Sequence, residues 1–568
     1  MGEGAKQNDL GRRTFLGGAG LVAGVTLLPE MGHAATSGSS AAARKAGSGD
    51  AVRAGNGIAE VATVHGKVAG YVERGIFTFK GMPYGDTTGG ANRFKPPRKP
   101  KPWDGVRSSR SYGPICPQDQ GAGRFNDEEA FLFPWVDAVQ AEDCLRLNVW
   151  TPGIGDNGRR PVMVWLHGGG FEAGSGHDLD AFDGRNLSER GDVVVVTLNH
   201  RLNLLGFFDL SEYGADYAQS ANVGMLDIVA ALEWVRENIA AFGGDPGKVT
   251  IFGQSGGGAK VSTLMGMPAA RGLFHRAIVQ SGSFSFFQPQ ERSRRLTKLV
   301  MAELKLDERN IDRLAELSYA DLRKAASTVM RRENQPGNIT LNLRRPVERL
   351  GFSPVIDGRV LPAAPFTKGA PAIMPDVPMI IGTTLNEFAS GINHPEYETM
   401  TETEVKQRLE GMFPGKSEAV YAAFRKRTPE AKPFDLWSRI ASASVRQGAL
   451  AQAGAKAAQG GAPAWLYWFT WQTPVLDGRP RAFHCAEIPF TFANAERCAR
   501  MTGGGPRARA LEATIADAWI AFARGGNPNH RGIPGWSPYS AETPATMIFD
   551  DICSLTVGID REELAALT

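Results

Sequence analysis

The stretch Val249-Thr-Ile-Phe-Gly-Gln-Ser-Gly-Gly257 places a serine where a short apolar run meets a glycine-rich segment. The run is typical of a buried strand, and the residues that follow it are typical of a helix. Glycines on both sides of Ser255 allow a sharp, strained turn that holds the serine hydroxyl clear of a sheet. The helix that follows points its free N–H groups at any negative charge that develops there. We therefore predict that Ser255 is a nucleophile on a strand-to-helix turn.

Apolar runs alternate with helical patterns on both sides of this stretch. The runs cover residues 162–166, 193–198, 249–252, 277–279, 377–381 and 465–469. Residues 228–239 carry apolar side chains at helical spacing and end at a glycine-and-proline stop. This alternation predicts an α/β fold with a large, mostly parallel twisted sheet flanked by helices. The charged, helical segment 290–348 is expected to cover the carboxyl edge of the sheet.

A second glycine loop, His167-Gly-Gly-Gly-Phe171, directly follows the apolar run 162–166. A tetrahedral intermediate needs hydrogen-bond donors for its oxyanion, and a loop of this type supplies backbone N–H groups that face the nucleophile. We expect the N–H groups of Gly169, Gly170 and Gly256 to form this oxyanion hole. His167 is expected to be a structural hydrogen-bonding residue.

In folds that carry a nucleophilic serine on such a strand-to-helix turn, the catalytic residues follow one another along the chain in the order serine, acid, histidine. His484 lies in a long stretch after the apolar run 465–469, as expected for a base carried on a loop. Glu387 comes just beyond the buried run 377–381. Asp357 competes with Glu387 for the role of the acid, but its Asp-Gly sequence favours a turn. We predict Ser255, Glu387 and His484 as the catalytic residues.

Composition and charge argue against a nucleic-acid-binding protein and against a metal site. The 568 residues are 42% hydrophobic, and 63 Lys and Arg residues balance 60 Asp and Glu residues to a net charge of +3. Those values are ordinary for a soluble globular protein, and no basic run marks a nucleic-acid surface. The five cysteines include no C-x-x-C pair, so we expect no zinc site or other metal. The sequence sets no oligomeric state, and a monomer is favoured.

The N-terminus predicts export. Arg12-Arg13-Thr-Phe-Leu16 precedes an apolar, glycine-rich stretch over residues 17–28 and small residues near Ala34. This is the pattern of a twin-arginine signal peptide, and the stretch is shorter than the ~20 apolar residues of a membrane span. We assign residues 1–34 to the signal peptide, 35–57 to a disordered tether and 58–568 to the catalytic domain. The mature protein is expected in the periplasm or outside the cell; an uncleaved N-terminal anchor is the alternative.

Several blocks of sequence together resemble the type-B carboxylesterase family. The segment 242–257 is similar to the serine signature of the family, and Glu142-Asp-Cys-Leu-Arg-Leu-Asn-Val-Trp-Thr-Pro152 is similar to its second signature. Further matching blocks are residues 272–282, 487–489, 519–529 and 536–539. The resemblance covers residues 61–549. It implies the α/β-hydrolase fold, with helical insertions over the active site.

Carried over residue by residue, the resemblance implies the same triad of Ser255, Glu387 and His484 and the same oxyanion hole. It also implies a disulfide between Cys116 and Cys144 that closes a loop at the mouth of the active site. Cys485, Cys498 and Cys553 stay unassigned. Two ion pairs are implied as well, Arg93 with Glu142 and Arg201 with Asp227.

The sequence departs from the family at several positions. Gln254 stands before the nucleophile where many members have Glu, and Arg146 and His200 also differ from the usual residues. Trp135 is the nearest counterpart of the family's cation-binding tryptophan, and we expect it to pack instead. The change at Gln254 removes a negative charge beside the serine. Phe284, Phe286 and Phe287 could form an apolar wall of the substrate site, or they could pack in the hydrophobic core.

These residues favour an exported serine esterase that hydrolyses neutral carboxylic esters of small molecules through an acyl-enzyme. No metal or organic cofactor is implied. An amidase or carbamate hydrolase on the same triad is the alternative. The resemblance also allows a non-catalytic binding protein, which the filled triad positions disfavour.

Overall fold

The apolar runs of the sequence form strands of one large sheet. This computed structural model describes residues 44–45, 51–119, 127–284, 287–334 and 349–567. The strands are β1 (Arg44–Lys45), β2 (Glu60–Thr63), β3 (Gly66–Ala69), β4 (Tyr71–Glu73), β5 (Ile76–Pro83), β6 (Val106–Ser108), β7 (Arg146–Thr151), β8 (Gly153–Ile154), β9 (Arg160–Leu166), β10 (Val194–Leu198), β11 (Gly244–Gln254), β12 (Arg276–Gln280), β13 (Gln288–Pro289), β14 (Val355–Ile356), β15 (Met379–Thr384), β16 (Ala464–Phe469), β17 (Ala545–Phe549) and β18 (Ser554–Val557). The helices are α1 (Asp127–Leu132), α2 (Arg185–Gly191), α3 (Asn203–Phe207), α4 (Val223–Asn238), α5 (Gly256–Met265), α6 (Gln290–Glu303), α7 (Tyr319–Glu333), α8 (Glu402–Met412), α9 (Ser417–Arg427), α10 (Pro433–Ala458), α11 (Ile488–Thr491), α12 (Ala499–Thr502), α13 (Gly505–Gly525) and α14 (Arg561–Ala565).

The main sheet has 11 strands in the order β18-β17-β16-β15-β12-β11-β9-β10-β7-β5-β4. Its central strands, from β10 to β17 in that order, pair in parallel. The strands at both ends, β18 on one side and β7, β5 and β4 on the other, pair antiparallel. The predicted α/β class and mostly parallel sheet are confirmed, and β11, which leads to Ser255, lies at the centre.

The central strands are buried on both faces, which explains their unbroken apolar sequence. Along β9, Val162, Val164 and Leu166 belong to one hydrophobic core, and Met163 and Trp165 belong to a second core on the other face. All seven residues of β9 are buried. A strand covered by helices on both sides needs apolar side chains at every position. A third, smaller core lies among helices α8, α9 and α10.

The charged segment after Phe287 forms helices α6 and α7, as its spacing predicts. The side chain of Ser318 accepts a hydrogen bond from the backbone N–H of Asp321 and caps the start of α7. Arg323 of α7 forms an ion pair of 2.8 Å with Asp119, which lines the large cavity described below. This helix therefore contacts a residue that lines that cavity. Residues 335–348 are outside the described residues.

The predicted signal peptide lies outside the described residues, as does most of the predicted tether. Where the tether is described, it contacts the domain. Arg53 exchanges two backbone hydrogen bonds of 2.9 Å with Val72, and β1 pairs with β8. The folded unit therefore includes residues that composition alone assigns to the tether. Within the described segments, no helix combines the length and the apolar character that a membrane crossing requires.

Both predicted ion pairs are confirmed. Arg201 and Asp227 are buried and joined by two side-chain contacts of 2.7 and 2.8 Å. Arg93 donates to Glu142 through two side-chain hydrogen bonds of 2.5 and 2.8 Å, and its remaining nitrogen donates to two backbone carbonyls that precede α7. These bidentate contacts join segments that are distant in sequence, and removing one partner of such a buried pair would leave a lone charge inside the protein.

The predicted disulfide is not present in this structure. Cys116 and Cys144 are buried, but both are free thiols. A hydrogen bond to Cys116, together with burial, raises the pKa of Cys144 well above its ordinary value. The sulfur of Cys116 also accepts a hydrogen bond of 3.3 Å from the backbone N–H of Leu202. The two cysteines are thus close enough to interact, as the resemblance implies, but both are free thiols.

Candidate active site

Ser255 lies on a strained turn between β11 and α5. Its backbone torsions are φ 56° and ψ −124°, which a residue with a side chain rarely adopts. The backbone N–H of Ser255 donates to the carbonyl of Gln280 at 2.8 Å, and its own carbonyl accepts from Ala259 at 3.0 Å. These bonds hold the turn in place. The predicted strand-turn-helix context of the serine is confirmed.

The glycine loop that follows β9 lies against this turn. Gly169 and Gly170 have φ values of 80° and 63°, in the left-handed region that favours glycine. A Cβ atom on Gly256 would lie only 2.4 Å from the N, Cα and O atoms of Gly170. A Cβ atom on Gly168 would lie 3.7 Å from the Cβ of Ser255. The three glycines predicted as oxyanion donors therefore belong to two backbone segments in direct contact beside the serine.

Glu387 and His484 are in direct contact. Oε2 of Glu387 is 2.5 Å from Nδ1 of His484, and its Oε1 accepts a hydrogen bond of 2.9 Å from the backbone N–H of Thr384, the last residue of β15. The backbone N–H of His484 also donates to the carbonyl of Glu387 at 3.0 Å. The Glu387 side chain is fully buried. This contact makes Nδ1 the donor and leaves Nε2 of the imidazole as a proton acceptor.

Asp357, the competing acid, and two other histidines that follow Ser255 in the chain, His275 and His530, make other contacts. Oδ1 of Asp357 accepts hydrogen bonds from the backbone N–H groups of residues 359–361, as expected for a turn. Nδ1 of His275 accepts from the backbone N–H of Val249, and Nε2 of His530 contacts the carbonyl of Thr514. Neither histidine lines the cavity that contains Ser255. The contacts of Asp357 thus agree with the turn that its sequence indicates.

Gln254 is buried against the imidazole of His484. Its Nε2 is 3.3 Å from Nδ1 and 3.2 Å from Nε2 of the ring. Because this Nε2 atom is almost equally far from both ring nitrogens, it would clash with the ring carbon between them if it lay in the plane of the ring. It therefore lies above the face of the imidazole. The Oε1 atom accepts a hydrogen bond of 3.2 Å from Sγ of Cys485, and the ring of Phe388 packs 4.2 Å from the imidazole. Sequence reasoning missed Cys485 and Phe388, although each directly follows a predicted catalytic residue.

Ser255, Glu387 and His484 line one cavity of about 870 Å³, together with Gly168 and Gly169. An aromatic wall faces this space; it consists of Phe133, Trp135, Phe182, Phe388 and Phe483. Trp135 packs on Phe133 with 5.4 Å between ring centroids, as a packing residue is expected to do. Phe284 and Phe287 do not line the cavity, and Phe287 belongs to the hydrophobic core. Phe286 is outside the described residues.

A second buried carboxyl group, Glu487, lies close to Glu387. Its Oε1 accepts a hydrogen bond of 3.4 Å from Nε2 of Gln280, whose backbone carbonyl binds the N–H of Ser255. Burial, followed by the charge of Glu387, raises the pKa of Glu487 to about 8. Glu487 therefore holds a proton at neutral pH and leaves the negative charge to Glu387. Sequence reasoning included Glu487 only in a family block, because a pKa shift of this kind depends on burial.

We predict that Glu487→Gln changes how stability depends on pH. A carboxyl group whose pKa is raised by folding stabilises the protein fully below its ordinary pKa, and that contribution is lost as the pH rises towards about 8. The Gln side chain does not ionise, so the variant does not lose this contribution. The free energy of unfolding of the variant minus that of wild type should therefore rise with pH, by up to about 1.4 kcal/mol per pH unit between about pH 4.5 and 8. Urea unfolding at pH 5 and pH 8 measures the effect.

The matched control is Glu562→Gln, because the Glu562 side chain is 82% exposed in its ion pair with Lys426. Its difference from wild type should stay within about 1 kcal/mol at both pH values. A constant difference between Glu487→Gln and wild type across this range would contradict the assignment of a protonated Glu487.

A mostly parallel sheet with a serine on the strained turn after a central strand defines the α/β-hydrolases, and a Glu–His pair beside that turn fits their chemistry. The chain belongs to the carboxylesterase family, whose model matches residues 58–564. It is 36% identical over 512 residues to the para-nitrobenzyl esterase of Bacillus subtilis, an alignment that covers 88% of this chain and 96% of that protein. It is 34% identical to the phenmedipham hydrolase of Pseudarthrobacter oxydans, with 86% and 94% of the two chains covered.

Solved structures agree with this relationship. An esterase from the anaerobe Clostridium hathewayi, which can hydrolyse aliphatic aromatic polyesters, superimposes with a TM-score of 0.78 at 37% identity, over 91% of this chain and 99% of that one. A carboxylesterase of Geobacillus stearothermophilus superimposes with a TM-score of 0.73 at 34% identity, over 90% of this chain and 100% of that one. The protein is a carboxylic ester hydrolase.

Proposed function

We propose that this protein hydrolyses neutral carboxylic esters with Ser255 as the nucleophile, His484 as the general base and Glu387 as the acid that orients the base. The observation that carries the proposal is the 2.5 Å contact between Glu387 Oε2 and His484 Nδ1, in the cavity that Ser255 also lines. That contact makes Nε2 the imidazole nitrogen that accepts the proton of the serine hydroxyl.

In the proposed reaction, Oγ of Ser255 attacks the ester carbonyl carbon while Nε2 of His484 takes the hydroxyl proton. The carbonyl oxygen becomes an oxyanion, which the N–H groups of Gly169, Gly170 and Gly256 stabilise. The bond to the alcohol oxygen then breaks, and His484 gives its proton to that oxygen. Water, activated by His484, attacks the acyl-enzyme in the same way and releases the carboxylic acid and free Ser255.

The aromatic part of the cavity lining supports substrates with aromatic groups. The preference for neutral ones rests on Gln254, because the carboxylates of Asp119, Glu129, Asp137 and Asp178 also line the cavity. Five aromatic side chains face it, and the group against the imidazole is the uncharged amide of Gln254. The names of two relatives point the same way, since one is a para-nitrobenzyl esterase and another acts on aliphatic aromatic polyesters. Hydrolysis of amides or carbamates on the same residues is the second candidate, which the relation to a phenmedipham hydrolase favours.

Ser255→Ala tests the nucleophile. The variant should lose hydrolysis of p-nitrophenyl butyrate and keep its fold, because the smaller side chain fits the same turn. A fluorophosphonate probe should label the wild-type protein at Ser255 and should not label the variant. Turnover of the matching anilide by wild type measures the amidase alternative. Probe labelling that persists in the Ala variant would show that another residue is the nucleophile.

Gln254→Glu tests the preference for neutral substrates. A carboxylate there would attract a cationic substrate by up to roughly 3 kcal/mol, for charges ~6 Å apart at an effective dielectric constant near 20. Wild type should prefer 3,3-dimethylbutyl butyrate over butyrylcholine in kcat/KM, and the variant should move this ratio several-fold towards the choline ester. The ratio is informative even if the new charge lowers both rates by acting on His484.

Gln140→Glu is the control for this charge, because Gln140 lines the same cavity at an exposed position, where water screens an added carboxylate. We expect it to shift the ratio less than Gln254→Glu does. A wild-type preference for butyrylcholine, or an unchanged ratio in the Gln254→Glu variant, would argue against the proposed specificity.

We also propose export by the twin-arginine route, supported by Arg12-Arg13 and the apolar stretch after them. Changing both arginines to lysine should leave full-length precursor in the cytoplasm, because this route depends on the pair. Cell fractionation and the mass of the N-terminal peptide measure the effect, and Arg44→Lys is the control outside the motif. Normal processing of the double variant would mean that another route exports the protein.

A further inference from the structure

Lys260 is a buried lysine directly behind the glycine loop. It lies one helical turn after Gly256 on α5 and has no exposed surface. Its Nζ donates a hydrogen bond of 2.8 Å to the carbonyl of His167 and lies 5.7 Å from the ring centroid of Phe171. His167 and Phe171 are the two ends of the loop, so one ammonium group contacts both ends.

Packing alone does not explain a lysine at this position. Among the ion pairs of the described residues, none joins Lys260 to a carboxylate, and a buried ammonium without such a partner destabilises a fold. Burial lowers the pKa of Lys260 to about 7, against a smaller opposing effect of Asp178. The other titratable groups that face it are the buried rings of His167 and His200, whose pKa values burial and the charge of Lys260 both lower.

We propose that Lys260 is a positioning residue for the oxyanion hole: it holds the glycine loop in the conformation in which its N–H groups meet the oxyanion. The proposal rests on the proposed acyl-enzyme mechanism. Glycines 168–170 have no side chains with which to anchor themselves, and two of them adopt left-handed torsions. Lys260 ties the first carbonyl of the loop to the same helix that carries Gly256.

The hydrogen bond also acts on the loop electrostatically. The carbonyl of His167 shares its peptide unit with the N–H of Gly168, and a charged donor on that carbonyl polarises the unit. Helix α5 therefore connects three parts of the site: the turn of Ser255 just before its start, the donor N–H of Gly256 and the side chain of Lys260. Any shift of the loop relative to this helix would move the donors away from the serine.

Lys260→Met removes the charge and the donor and keeps most of the volume. We expect kcat to fall about tenfold, less than the 10²–10³ that follows loss of a whole donor, with little change in KM. Affinity for a trifluoromethyl ketone, which forms an oxyanion on the serine, should fall by the same factor as kcat/KM. Loss of packing alone would not produce this proportionality.

Although its kcat should fall, the Lys260→Met variant should be at least as stable as wild type. Folding lowers the pKa of Lys260 from its ordinary 10.5 to about 7, so wild-type stability rises with pH between those values as the unfolded chain loses the extra proton. The Met variant has no such dependence. Its melting temperature should equal or exceed that of wild type, with the largest gain near pH 6, where the buried ammonium is charged. The kinetic loss should therefore appear without a loss of stability.

Lys456→Met is the matched control. Lys456 is also buried, donates a hydrogen bond of 2.6 Å to the carbonyl of Pro375, and has a pKa lowered to about 8 by burial. It lies on α10 and does not line the cavity of Ser255. We expect its kcat and its affinity for the ketone to equal those of wild type. Lys260→Gln, which keeps a neutral donor, should recover part of the activity that Lys260→Met loses.

Wild-type kcat and ketone affinity in Lys260→Met would overturn the role of Lys260 while leaving the proposed function intact, because Ser255→Ala tests that function separately. A loss confined to KM, or a kinetic loss with a lower melting temperature at pH 6, would also overturn it. If Lys260→Met does not fold, Lys260→Gln alone is compared with wild type. A proportional loss of kcat/KM and ketone affinity then supports the proposal, and wild-type values for both overturn it.

Discussion

The site depends on the close approach of two backbone segments, the start of helix α5 and the glycine loop after β9. A Cβ atom on Gly257 would lie 1.9 Å from the carbonyl oxygen of Leu166, and one on Gly256 would meet Gly170 at 2.4 Å. Any side chain at these positions would force the segments apart. Because β9 and β11 are neighbouring parallel strands, their carboxyl ends bring the loop and the turn of Ser255 to the same edge of the sheet.

Buried ionisable groups surround this contact, and burial sets their charges. Glu487 is protonated at neutral pH, which leaves Glu387 as the carboxylate that meets His484. Behind the glycine loop, Lys260 donates to the carbonyl of His167, and the rings of His167 and His200 stay neutral beside it. The interior thus holds a negative charge where an imidazolium would form and, at pH values below the lowered pKa of Lys260, a positive charge behind the donors of the oxyanion. Both arrangements would favour the proposed reaction.

The substrate cavity is built by segments that are far apart in the chain. Phe133 and Trp135 follow helix α1, Phe182 lies before α2, and Phe388 and Phe483 lie beside the acid and the base. These residues contact one another across the segments; for example, Phe133 packs edge to face against Phe483 with 5.7 Å between ring centroids. A wall assembled in this way can change in shape without moving the serine turn. This separation allows the chemistry to be constant while the substrate varies.

The sequence by itself determined the features that local chemistry encodes. The unbroken apolar runs predicted the central strands, and the glycines around Ser255 predicted its turn, because both depend on neighbouring residues. Chain order and resemblance identified Glu387 and His484, which the fold brings into contact. Tertiary structure alone decided which aromatic residues face the cavity, that Cys116 and Cys144 meet as thiols, and that Glu487 and Lys260 have shifted pKa values. The physical reason is that these properties depend on burial and on contacts between distant segments, which no local pattern of residues records.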